Sequence, residues 1–211
     1  MDCKKTMYDK LGPVVVKALE SRHFEAYYFS DKEDAVKKAV ELIPEGSSIG
    51  WGGSKTMSDI GIYDQLKNGK YTLIDRDTAR DFEEKTKLQK QALIADTFIM
   101  SANAISQDGV IVNLDAFGNR AAAMVYGPDS VIVIAGMNKV VKIVDDAVSR
   151  TRNIAAPMNA QRFDIETPCK KTGNCSNCKS PTSICSYLII TRLCRPASKI
   201  KVILVGEDLG M

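Results

Sequence analysis

The sequence predicts an α/β fold, a mostly parallel sheet flanked by helices, in a single domain over residues 1–211. Three observations carry this. Strand-like apolar runs alternate with amphipathic segments of helical period, the pattern of βαβ units. The run "SVIVIAG" is apolar without interruption, as expected of a strand covered on both faces. Hydrophobic residues make up 45% of the 211, enough for a core that needs no metal or disulfide staple.

The elements follow in order. "VVVKALE" belongs to a helix ending near His23, and "FEAYYF" is a strand. "SDKEDAVKKAVELIPEG" is helical: Ser30 and Glu33 have capping-box spacing, Ala35, Val36, Ala39, Val40 and Ile43 form one face, and Pro44 stops it. "SSIGW" is a strand, and "SKTMSDIGIYDQLKNG" a helix stopped by Gly69. "YTLID" is a strand, residues 78–95 a charged helix and "DTFIMS" a strand. "AISQDGVIVNLD" is a hairpin around Asp108-Gly109, and "NRAAAMVYG" a short helix. After "SVIVIAG", Val140, Val141, Val144, Ala147 and Val148 mark a long amphipathic helix from Asn138. Residues 167–186 form a Cys-rich loop, and strands resume at "SYLIIT" and "KIKVILVGEDLG".

Charge and composition narrow the function. Net charge is +3, from 29 basic and 26 acidic residues, so a general nucleic-acid binder is not expected. Tyr187 is the one aromatic in the basic tail available for base stacking. The charged N-terminus lacks a secretory apolar region, and no apolar run is long enough for a membrane span, so a cytoplasmic protein is expected. In that compartment clustered cysteines point to metal or redox chemistry rather than structural disulfides.

Cys169, Cys175, Cys178 and Cys185 lie within one polar stretch, "CKKTGNCSNCKSPTSIC". Cys175 and Cys178 make a chelating pair, and Cys169 and Cys185 complete four thiolates. Between Glu166 and Glu207 there are seven basic residues and no acidic one, a setting that favours thiolates. The spacing is neither a zinc ribbon nor a bacterial ferredoxin run, and leaves zinc and an iron–sulfur cluster open. Cys3 and Cys194 read as unrelated thiols.

A second candidate is "IGWGGSKTMSDIG". Glycines between a strand and a helix let backbone N–H groups hold an anion, with Ser54 and Thr56 adding hydroxyls and Lys55 a charge. Gly52, Gly53, Ser54, Lys55 and Thr56 are the expected contacts. A Walker A loop is excluded, because its glycines would fall at Ile49 and Ser54. In "NLDAFGNR", Asp115, Asn119 and Arg120 are candidates to grip a carboxylate or phosphate; otherwise Asp115 takes a turn and Asn119 caps a helix. His23 is the sole histidine, so histidine-based catalysis is effectively excluded. Trp51 either lines the cleft or packs.

The segments "GWGGSKTMSDIG", "SANAISQDGVIVNLDAFGNRAAAMVYGP", "VIVIAGMNKVV", "RTRNIAAPMNA" and "ILVGEDLG" together resemble the LUD-domain family of lactate-utilisation proteins, in its stand-alone, cysteine-containing branch. The resemblance implies a fold like those of ribose-phosphate isomerase, glucosamine-phosphate deaminase and CoA transferases. It also implies a role around oxidation of lactate to pyruvate, alongside iron–sulfur partner proteins. No dinucleotide fingerprint is present. CoA transfer is disfavoured: the family I nucleophile turn, Ser-Glu-Asn-Gly, is matched only by Ser106-Gln107-Asp108-Gly109, and an amide cannot form the acyl anhydride.

The expected function is therefore a lactate-utilisation-type protein of anaerobic 2-hydroxy and 2-oxo acid metabolism. It binds a small carboxylate or phosphorylated metabolite and a 4Fe–4S cluster, which is favoured over zinc. The alternative is a zinc-stabilised, non-catalytic metabolite-binding or regulatory module. Iron–sulfur proteins of lactate oxidation are the expected partners, nucleic acid and membrane are not, and a homodimer is left open.

Overall fold

Runs of Val and Ile with turn residues on either side become strands, and the helices between them cover both faces of a sheet. A computed structural model describes residues 2–211. Helix α1 (Cys3–Ser21) leads into β1 (Glu25–Phe29), α2 (Lys32–Glu41) and β2 (Ser48–Trp51). Two short helices follow, α3 (Lys55–Asp59) and α4 (Ile62–Lys67), then β3 (Thr72–Ile74), α5 (Phe82–Gln91) and β4 (Thr97–Met100). The hairpin β5 (Ala104–Ser106) and β6 (Ile111–Asp115) precedes α6 (Asn119–Val125), β7 (Ser130–Gly136) and β8 (Val140–Val141). Helix α7 (Val144–Arg150) continues through a π-helical turn, Thr151–Ala155, into α8 (Ala156–Ala160). Then come α9 (Pro168–Thr172), β9 (Tyr187–Thr191) and β10 (Ile200–Val205).

Six strands form one fully parallel sheet in the order β1-β10-β7-β4-β2-β3. Its two faces are separate cores. Along β7, Val131, Val133 and Ala135 pack toward α1 and α6, while Ile132 and Ile134 pack toward α2, α3 and α4. Along β10, Val202 and Leu204 face the first core and Ile203 and Val205 the second. This is the period-2 alternation of a strand buried on both sides. A second, mixed sheet of four strands, β8-β5-β6-β9, was not expected.

Four local readings are corrected. Val140 and Val141 do not begin a helix; they pair in parallel with Ile105 and Ser106, and α7 starts only at Val144. Their β-branched side chains suit that ladder. The helix expected from Ser54 to Gly69 is two helices, because Gly61 takes φ 69° and breaks the hydrogen-bond run. The charged helix of residues 78–95 is α-helical only over Phe82–Gln91. Asp31, not Ser30, caps α2: its side chain accepts from the Asp34 N–H at 3.0 Å, while Ser30 donates to Asp9. Among the described residues no helix is long and apolar enough to cross a membrane.

Candidate functional site

Three chain turns leave the carboxyl ends of adjacent parallel strands and meet in one cleft. The Gly52–Thr56 loop follows β2, Ser101–Asn103 follows β4, and the 3-10 turn Met137–Lys139 follows β7. Arg120 reaches in from α6, and Asn159 and Arg162 close the cleft from the α8 side. Ligands gather at such strand ends in open α/β sheets. The cleft has a volume of about 50 Å3, room for roughly four water-sized groups.

The glycines make space for arginines. A Cβ on Gly52 would lie 2.5 Å from the Arg120 Cγ and Cδ, and one on Gly53 would lie 2.5 Å from an Arg76 guanidinium nitrogen. A side chain at Gly52 would have to displace the Arg120 stem, whereas one at Gly53 would meet only the movable end of Arg76. Helix α3, which opens at Ser54, has five residues, too few for a strong dipole. The positive character of the cleft therefore comes from side chains.

Arg120 is positioned from behind. Asp115, buried at the end of β6, accepts from the backbone N–H groups of Arg120 (2.9 Å) and Ala121 (3.0 Å) and pairs with the Arg120 guanidinium at 2.9 Å. One carboxylate thus starts helix α6 and aims the guanidinium. Gly118, with φ 81°, holds the N-cap position expected of Asn119, which does not line the cleft. Of the sequence-predicted contacts, Gly52, Gly53, Ser54, Lys55, Thr56 and Arg120 line the cleft, and Asp115 supports it. Lys55 is ion-paired with Asp59. Trp51 is buried against Tyr63, with ring centroids 5.4 Å apart, and packs rather than binds. Gln107 and Asp108 lie in the β5–β6 turn outside the cleft, where Asp108 bonds to Ser106 and Arg22.

The sequence reading missed Lys139. It is 3% exposed, and its Nζ donates to the hydroxyls of Thr56 (2.7 Å) and Ser101 (3.0 Å). Burial, reinforced by the positive charge of Arg150 and opposed by Asp59, pushes its pKa down to about 7. Arg150 is itself buried, bonding to the carbonyls of Asn138 (3.2 Å) and Asn103 (2.5 Å), and so ties two of the cleft's three turns together. The available signal was a single lysine closing an apolar strand, "VIVIAGMNK".

The four cysteines of the 167–186 loop border a second cavity, of about 240 Å3. All six cysteines of the chain are free. Cys169 is buried at the first turn of α9 and Cys175 and Cys178 are half-buried. Cys185 is exposed as a residue, yet protein crowding its thiol and the charges of Cys169, Cys175 and Cys178 push its pKa up to about 11. The four sulfurs therefore sense one another. Among the described residues no group of three or more Cys, His, Asp or Glu is placed to hold a metal ion. The lining cation is Arg152, hydrogen-bonded to Asn177 at 2.6 Å, and not the flanking lysines. Lys170 turns to the Phe163 carbonyl and Lys171 to Glu166. Cys3 lies on α1, and Cys194 accepts from the Ile200 N–H; neither borders this cavity.

The two cavities share the α7–α8 helix. Ala155, Asn159 and Arg162 face the cleft, while Arg152, Ala156 and Pro157 face the cysteines. The π turn at Thr151–Ala155 adds a residue to the helical period just where the two faces divide.

A search of curated proteins returned no match. The crystal structure of a DUF162 family protein from Deinococcus radiodurans is similar over 94% of this chain and 98% of its own, with TM-score 0.51 and 13% identity. Ribose 5-phosphate isomerase A from Neisseria gonorrhoeae is similar over 53% of each chain (TM-score 0.34, 18% identity). 5-Methylthioribose 1-phosphate isomerase from Pyrococcus horikoshii OT3 is similar over 75% of this chain and 50% of its own (TM-score 0.38, 13% identity). The LUD domain profile matches residues 13–205, and the chain belongs to the LUD-domain family.

Proposed function

We propose that this chain is a lactate-utilisation-type protein that binds a small 2-hydroxy or 2-oxo acid in the cleft and an iron–sulfur cluster at Cys169, Cys175, Cys178 and Cys185. The observation that carries it is the convergence of Lys139, Arg120, Arg162 and the Gly52–Gly53 turn on one small, cationic space at the strand ends. Among the described residues no aspartate or glutamate side chain lines that space, while four lysines and arginines do, so an incoming carboxylate meets a net positive lining. Its size suits a three-carbon acid better than a nucleotide.

Four thiols suit either zinc or a cluster, and the space they border favours a cluster. A single zinc needs four sulfurs at about 2.3 Å from one point. Here the thiols border a cavity of about 240 Å3, a space that iron and sulfide would fill. Arg152 offsets part of the negative charge of four thiolates. Such a cluster, when bound, supplies one-electron redox chemistry.

The chain's own residues bind and orient. Arg120, fixed by Asp115 and the Leu114 carbonyl through Nε and Nη2, has Nη1 left to offer a carboxylate; Lys139, held by Thr56 and Ser101, lies at the buried end with a proton to give or take. Calorimetry on anoxically purified protein tests the cleft. Pyruvate or lactate should bind at one site per chain, weakened by added salt. Absence of binding by pyruvate, lactate and phosphate alike would end this reading.

A further inference from the structure

Lys139 is a buried amine, and among the described residues no carboxylate forms an ion pair with it. Asp59, whose charge reaches it, is ion-paired with Lys55 instead. Its polar contacts are two hydroxyls, Thr56 and Ser101, and Ser101 donates in turn to Thr56 at 3.2 Å. A second cation, Arg150, adds to the cost of charging it. A lysine whose protonated form is disfavoured by burial and a neighbouring cation is the kind of amine that attacks carbonyl carbon. Lys139 has ample access to the neutral form near neutral pH, because its pKa lies at about 7.

We propose that Lys139 is a catalytic nucleophile that condenses with the ketone of a 2-oxo acid to form an imine. This rests on the cleft being a 2-oxo acid site. Arg120, the Gly52–Gly53 turn and Lys139 line the same small cleft, so a substrate carboxylate held by Arg120 would have its C2 carbonyl within the space that the buried amine borders. The neutral Nζ lone pair forms a bond to C2, the ketone π pair moves to oxygen, and that oxygen takes a proton. The carbinolamine then loses its hydroxyl as water, and the C–N double bond forms as nitrogen gives up its proton. One amine and one ketone give one imine and one water, with no oxidant or reductant. The Thr56–Ser101 hydroxyl pair touches Nζ and can pass these protons.

The test is borohydride trapping. Anoxically purified protein is incubated with pyruvate and sodium borohydride, then read by intact mass and peptide mapping. Hydride adds to the imine carbon, so the chain should gain the mass of one pyruvic acid less one oxygen atom, on the peptide carrying Lys139. Lactate, which has no ketone, should give no adduct and should suppress the adduct from pyruvate. Lys139→Arg should abolish it; mapping of the unaltered chain decides the matter should that variant misfold. Adducts confined to surface lysines would overturn the proposal. Pyruvate binding by calorimetry without an adduct at Lys139 would overturn it too, while sparing the binding site. Absence of pyruvate binding would remove both.

Discussion

The cleft and the cysteine cavity lie on two faces of one helix, yet they are built in opposite ways. The cleft is assembled from turns at the ends of buried strands, and its polar groups are already engaged: Asp115 on Arg120, Arg150 on two carbonyls, Lys139 on two hydroxyls. The cysteine segment is mostly turn and coil. Its fixed points are the five-residue α9, the Arg152–Asn177 contact and the Ser180–Glu166 and Thr182–Glu166 bonds. The difference teaches where each site gets its order. The sheet preorganises the cleft before any ligand arrives, whereas four thiols on a polar loop would, on the reading proposed above, gain their order from a shared inorganic centre.

The comparison breaks most visibly at the loop. Replacing Cys175 and Cys178 together by Ser should reduce bound iron from stoichiometric to near zero, as read by elemental analysis. Pyruvate affinity, measured on the same sample, should change by no more than about twofold, because the cleft does not depend on the loop for its shape. Parallel loss of both would mean that the two sites are one.

From the other side, Arg120→Gln should weaken pyruvate binding by roughly 10- to 100-fold, the worth of a charge-assisted contact, with iron content unchanged. Gly52→Ala should act on the same contact more gently. Its new methyl meets the Arg120 stem at 2.5 Å and must displace it. An affinity loss of about 10-fold is expected, with a small change in melting temperature. Unchanged affinity would mean that Arg120 does not touch the ligand.

The smallest effect sharpens the contrast between a preorganised and an unstrained site. Lys139 falls from an ordinary pKa of 10.5 to about 7 in the folded chain. Between those values the unfolded chain carries a proton that the folded one lacks, so folding stability rises with pH across that window. Below about pH 7 the folded chain must bear the buried charge. Lys139→Met removes that penalty. It should raise stability by roughly 2 kcal/mol near pH 6, or Tm by about 5 °C, with the gain fading toward pH 10.5. A gain independent of pH would mean that Lys139 is not strained by charge. Thermal melts at several pH values read this directly.

Much of the fold was legible because burial leaves a strong mark on sequence. Strands such as Ser130–Gly136 and Ile200–Val205 are apolar on both faces, and their order with the helices implies a parallel sheet. The small mixed sheet was not legible. Val140–Val141 is two residues long, and its partner Ile105–Ser106 is remote in sequence, so helical period competed successfully with strand pairing. Of the residues that line the cleft, the glycine turn and Arg120 were readable from residue type. Lys139 was not: its place closing an apolar strand was the one local hint, and its character comes from Arg150, Thr56 and Ser101, which the fold brings to it. Asp115 was seen as a ligand contact, but a carboxylate that can cap a helix start and hold an arginine is consumed by doing so.

The most direct measurement is the iron, sulfide and zinc content of the intact chain, purified without oxygen, together with its visible spectrum. Brown protein with about four iron and four sulfide per chain, lost when Cys175 and Cys178 are replaced, is the expected result. Colourless protein that takes up no iron, or carries zinc alone, would contradict the claim that these thiols hold a redox centre beside the cleft.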